Sequence, residues 1–166
     1  MERILEISGR EFFFQVLEKP EPFLPPYPGF SFPCLIWDAR GSWPRELVDR
    51  FADAVIASGC RYAVCAGVDC ERWHDWIDES FLAQNLEGPD YEARFVMTSW
   101  HTGQSPNEVA FFLTGANFDQ HDFRHFVVLQ LGASPSIEAD LRAAVIAQAA
   151  IVAEVDWNES SGPRAG

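Results

Sequence analysis

The residues with the greatest chemical reach lie between positions 61 and 78, in RYAVCAGVDCERWHDWID. A short apolar run, Arg61 to Cys65, breaks at Ala66-Gly67-Val68-Asp69, and an amphipathic stretch follows with Cys70, Glu71 and His74 in its first turns. This reads as a buried strand, a tight turn and a helix capped by Asp69. A thiol near a helix N-terminus sits in a field that favours thiolate. Cys70 is therefore the candidate nucleophile of a hydrolase or transferase, with His74 or His101 as general base and Asp38 as the group that orients it. Local charge opposes this reading. Asp69, Glu71 and Asp75 crowd Cys70, and like charge disfavours a thiolate by about 1 kcal/mol, comparable with what one helix end supplies.

Other chemistries lack a fingerprint. Cys65 and Arg72 are one residue too far apart for a phosphatase loop, which also needs more than one glycine, and Asp69 and Glu71 would repel phosphate. Neither G-x-G-x-x-G nor a lysine-bearing P-loop occurs, so no nucleotide and no cofactor is expected. Cys65, Cys70, His74 and His101 could in principle surround zinc, but Cys-x4-Cys-x3-His is not the tight paired spacing of a zinc site. His121 and His125 are a looser pair ahead of a strand and read as solvated loop histidines. No metal site is expected.

Positioning these groups requires a parallel sheet. Four strand-then-helix units follow one another: Cys34 to Trp37 with a helix announced by Ser42 and Pro44; Arg61 to Cys65 with the helix carrying Trp73, Trp76, Ile77 and Phe81; Arg94 to Trp100 with a helix that turns Val109, Phe112 and Leu113 inward; and Phe123 to Leu131 with a long alanine-rich helix. Gly59 should close the first helix in a left-handed conformation, and Ser105-Pro106-Asn107-Glu108 has the form of a capping box. The strands are nearly continuous apolar runs, as in a sheet covered on both faces. The expected fold is a single α/β domain over 1–166: three layers, a mostly parallel four- to five-stranded sheet with helices on both faces, flavodoxin-like or related. Residues 1–18 form a hairpin or a strand followed by a short helix. The proline- and aromatic-rich stretch 19–33 is an extended connection packed along the body, and 157–166 is a frayed tail with Trp157 as an anchor. Such a sheet gathers the turns at its carboxyl edge, where ligand sites form. Asp38, Arg40, Asp69, Trp43 and Trp100 are the binding candidates there, with Ser134 and Ser136 nearby.

Composition narrows the partner. A formal net charge of −13, from 25 acidic against 12 basic residues, argues against nucleic-acid phosphates and favours a protein with a basic surface. Six Trp and fourteen Phe exceed what a core this size ordinarily needs, so some should meet a partner. The four cysteines lie in apolar runs rather than in a disulfide framework, the start of the chain has no signal-peptide pattern, and no run approaches a membrane span. These features place the chain in the cytoplasm with reduced thiols. The preferred reading is a non-catalytic cytoplasmic interaction module, an adaptor, regulator or immunity-type partner protein, with self-association left open. The rival is the Cys70 enzyme, and a small-ligand sensor using the same crevice stands third.

Overall fold

The computed structural model describes residues 1–85, 91–117 and 123–161, with the backbone alone for 85 and 156–161. The chain runs through β1 (Glu2–Ile7), β2 (Arg10–Leu17), β3 (Phe32–Asp38), α1 (Arg45–Ala57), β4 (Cys60–Gly67), α2 (Cys70–Asn85), α3 (Tyr91–Arg94), β5 (Met97–His101), α4 (Pro106–Thr114), β6 (His125–Leu131) and α5 (Pro135–Ser161). One six-stranded sheet takes the order β1-β2-β6-β3-β4-β5. β1 is antiparallel to β2, and every other pairing is parallel.

The sheet exceeds the four to five strands expected because the N-terminal segment folds as a hairpin and adds both its strands. Ser8 and Gly9 turn it with φ of 50° and 73°, the paired positive values of a two-residue hairpin turn. The strand order also departs from flavodoxin. Taken in chain order, the parallel strands lie first, fifth, second, third, fourth, whereas flavodoxin places its second strand at the edge.

Alternation along the central strands divides the core. On one face Cys34, Ile36, Ala63, Cys65, Val127 and Leu129 pack with α1 and α2 through Phe51, Val55, Trp73 and Ile77. On the other, Leu35, Val64, Phe126 and Val128 pack with α4 and α5 through Val109, Leu113, Leu141 and Val145. Every residue of β3 is buried, as a strand in the middle of a parallel sheet requires. Full burial of a side chain such as Phe51 or Ile77 stabilises by about 2 kcal/mol.

Several boundaries move. The connection from β2 to β3 crosses β6 on the α1 face, anchored by Phe23 against Phe32 and Phe51. It ends before Phe32, because Phe32 and Pro33 already belong to β3, where the register shifts between them. Such an irregularity accommodates a proline at the start of a strand. The stretch Arg94 to Val96 is not strand: Arg94 closes α3, and Phe95 packs on Phe81 and Tyr91 instead of joining the ladder. β6 starts at His125, and His125 is half-buried against Tyr27 and Glu11 rather than solvated; His121 lies outside the described residues. Phe112 points outward instead of into the core, while Val109 and Leu113 are buried as expected. α5 continues to Ser161, into the stretch expected to fray. The capping box forms, with the Ser105 hydroxyl accepting from Glu108 N–H and the Glu108 carboxylate accepting from Ser105 N–H.

Candidate functional site at the carboxyl ends and the β5 edge

The parallel strands bring their exit turns to one rim, and the first centre there is closed. Asp38 ends β3 fully buried. Its Oδ1 accepts from Arg40 N–H at 3.0 Å, Gly41 N–H at 2.8 Å and Trp43 Nε1 at 3.0 Å, and its Oδ2 accepts from Trp73 Nε1 at 2.9 Å. A carboxylate this well supplied is held in place and has no direction left for a substrate. The neighbouring turn locks onto it. Val68 N–H donates to the Asp38 carbonyl, and a Cβ on Gly67, at φ +90°, would collide with the Asp38 backbone, so only glycine fits there. Asp69 Oδ2 accepts from Ser42 N–H at 2.9 Å. Arg40 lies over the Trp43 ring with 5.0 Å to its centroid. Asp38, Arg40, Trp43 and Asp69, four of the binding candidates, are thus brought together as an interlocked knot. Ser134 contributes a carbonyl that accepts from buried Gln130, and Ser136 is exposed.

The remaining candidates divide between the two faces of β5. Cys70, the first residue of α2, is buried in the core that α1 and α2 cover, and its thiol lies 3.5 Å from the Thr102 hydroxyl. His74 packs edge-on against Trp100 at 4.5 Å, with Nδ1 3.1 Å from Asp75 and Nε2 3.5 Å from Asp78. His101 lies on the opposite face, its ring tilted over Phe112 of α4 at 4.2 Å. Among the described residues, no hydrogen bond joins Cys70 to either imidazole. Cys34, Cys60 and Cys65 are buried and free, and burial pushes each thiol upward, Cys60 to about 12. Among the described residues no group of three or more His, Cys, Asp or Glu is placed to hold a metal.

Around His101 the structure assembles groups that the spacing of Cys and His did not reveal. Ser99 Oγ is 3.1 Å from His101 Nε2, and His101 Nδ1 is 3.1 Å from Gln104 Oε1. The Tyr62 hydroxyl of β4 is 3.0 Å from Ser99 Oγ. With Gln104 Oε1 accepting, the proton sits on Nδ1, Nε2 accepts from Ser99, and Tyr62 donates to Ser99. Burial pulls the imidazole below its usual range, partly offset by the Gln104 bond. It is therefore neutral near pH 7. Beside it, Gln104, Asn107, Glu108, Phe111, Phe112 and Gln148 line an open groove of about 380 Å³. The sequence signal is Ser-x-His on a strand, which puts both side chains on one face.

β5 is also the end of the sheet, with no strand beyond it among the described residues. Its sequence, MTSWH, carries no carboxylate, lysine, arginine or proline. Trp100 is 49% exposed and Met97 41%. Below Thr98, whose hydroxyl donates to Asp78 at 2.8 Å, Phe81, Leu82, Tyr91, Phe95 and Met97 line a groove of about 300 Å³ with the Asp78 carboxylate in its wall.

Residues 15–148 match the model of a domain of unknown function, DUF7684. The chain belongs to that family. The matched span runs from within β2 into α5 and contains Asp38, Cys70, Ser99, His101 and Gln104, whereas β1 lies outside it. No curated protein and no solved structure matches the chain. Among the described residues no helix is long and apolar enough to cross a membrane.

Proposed function

We propose that the chain is a cytoplasmic protein-interaction module that takes up an extended, basic segment of another protein along the outer edge of β5. The observation that carries this reading is β5 itself, an uncharged strand with no strand beyond it among the described residues, flanked by exposed aromatic groups. An unpaired strand edge presents a row of N–H and C=O groups to any extended chain. Exposed Trp100, Met97 and Phe95 supply apolar contact beside it, and Asp75 and Asp78, 61% and 43% exposed, supply the charge that selects lysine or arginine. A second copy would bring −13 against −13, which opposes self-pairing. Four buried free thiols support the reducing compartment.

The test is a synthetic peptide of alternating lysine and valine or phenylalanine, titrated against the full chain. Expected are saturable binding that weakens with added salt and perturbed amide resonances on Met97 to His101. Trp100→Lys should weaken binding by about tenfold or more. A peptide N-methylated on alternate residues, which cannot extend a sheet, should fail. Equal binding of the N-methylated peptide, or perturbation confined to β1, would overturn the proposal, as would dimerisation through β5 at low salt.

A further inference from the structure

We infer that the groove between α2, α3 and the start of β5 is a cage for a methylated ammonium group, the trimethyllysine side chain of the segment that docks on β5. The inference rests on the docking reading and names the side chain that the edge selects. Three rings build the cage. Phe81 lies 5.4 Å from Tyr91 and 5.7 Å from Phe95, Tyr91 and Phe95 are 6.2 Å apart, and the ring planes meet at 46° to 89°. Phe81 is buried, while Tyr91 and Phe95 are 36% and 44% exposed. The buried ring is therefore a floor, and the other two stand beside it with surface open to a ligand. Leu82 and Met97 complete the apolar wall of a space of about 300 Å³, enough for one side chain and its head group.

The charge of the occupant follows from the lining. Asp78 is the charged group among the described residues that border the groove. Its Oδ1 accepts from the Thr98 hydroxyl at 2.8 Å, and its Oδ2 lies 3.5 Å from His74 Nε2. These contacts hold the carboxylate at the wall, where it attracts a cation, and the ring faces attract the same charge through their quadrupoles. An anion is repelled by both.

The kind of cation follows from the supply of acceptors. A lysine ammonium brings three N–H donors and a guanidinium five. Inside this groove they meet walls made mostly of carbon and a carboxylate already bonded to Thr98, so water lost on entry is poorly replaced. A trimethylammonium group has no N–H to satisfy. It keeps the full positive charge and presents methyl groups to the rings, which is the chemistry aromatic cages recognise. The position suits a docked segment. Thr98 points toward α2, and a strand laid beside β5, about 4.8 Å away, turns every second side chain to that same side.

The experiment uses the full chain with two probes. The first is Nα-acetyl-trimethyllysine methylamide, a single residue too short to extend a sheet. It should shift the Met97 methyl and the Phe95 and Tyr91 ring resonances in a saturable manner. The second is the lysine-bearing peptide with trimethyllysine in place of each lysine in turn. At one position affinity should rise about fivefold, and the neutral isostere with carbon in place of the quaternary nitrogen should forfeit that gain. Tyr91→Leu, which keeps an apolar side chain and removes a π face, should bring the ratio of trimethylated to unmodified affinity close to one. Failure of the methylamide to move Met97, Phe95 and Tyr91, equal binding of the neutral isostere, or no gain at any lysine position would overturn the inference. The isostere comparison is made on the wild type and decides the matter even if Tyr91→Leu fails to fold. A peptide that docks without preferring trimethyllysine sinks the cage alone. A methylamide that binds while every peptide fails sinks the docking at β5 and leaves a cage for methylated ammonium.

Discussion

Asp38 and His101 are both buried polar residues at the carboxyl ends of parallel strands, on either side of β4, and they differ in what their hydrogen bonds lead to. Asp38 receives two backbone and two indole N–H groups from its own turn, Trp43 and α2. All of those donors belong to the scaffold, so the carboxylate ties α2 and the turn after β3 to the end of the sheet. The bonds of His101 lead outward, to half-buried Ser99 and to Gln104 at the wall of an open groove. A saturated polar group holds shape. The chain from His101 ends instead at Gln104, which borders an open groove.

The comparison breaks first at Asp38. Asp38→Ala leaves four donors without an acceptor, those of Gly41 and Trp73 in buried bonds and those of Arg40 and Trp43 in part-buried ones, and should destabilise the protein by about 3 kcal/mol, read as a lower denaturant midpoint at constant m value. Asp38→Asn should cost about half as much, because one oxygen still serves the turn while the amide opposes the Trp73 indole. If Asp38→Ala unfolds like the wild type, the knot is not what holds the rim.

The β5 side should respond in function instead. Asp78→Asn keeps an acceptor for the Thr98 hydroxyl but removes the charge facing the groove. Affinity for the lysine-bearing peptide should fall about fivefold, with a shallower salt dependence and a nearly unchanged melting temperature. A loss of stability comparable with Asp38→Asn would show that Asp78 belongs to the scaffold as well.

The smallest effect is on stability against pH. Burial lowers the pKa of both His101 and His125, so as pH falls the unfolded chain takes up protons first. Stability from these groups is complete above the ordinary imidazole value of about 6.5 and is lost as pH falls toward the folded values. The melting temperature should be lower at about pH 5.5 than at about pH 7.5, and His101→Asn should narrow the difference. An unaltered difference would place the linkage at His125.

The two sheet edges sharpen the same point. β1 carries Glu2, Arg3 and Glu6, has a register irregularity between Arg3 and Leu5, and is tied to α5 through Arg142 and Glu2. Charge and irregularity are the usual protections of a sheet edge. β5 has neither, and the contrast supports docking at one edge rather than at both.

Local pattern made much of the architecture readable. The alternation of apolar runs and helical faces, the Ser105 to Glu108 cap and Gly59, found at φ +103° after α1, depend on neighbours in sequence, and the mostly parallel α/β class follows from them. Strand order does not. The insertion of β6 between β2 and β3 depends on contacts between segments about a hundred residues apart, for which residue type carries no address. The chemistry divides in the same way. Cys70, His74, Asp38 and Arg40 are reactive residue types near predicted turns, yet which face of β5 each imidazole takes is settled only when α2 and α4 pack on opposite sides. Ser99, Gln104 and Tyr62 are ordinary polar residues in the sequence, and it is the pairing of β4 with β5 and the turn into α4 that bring them to His101.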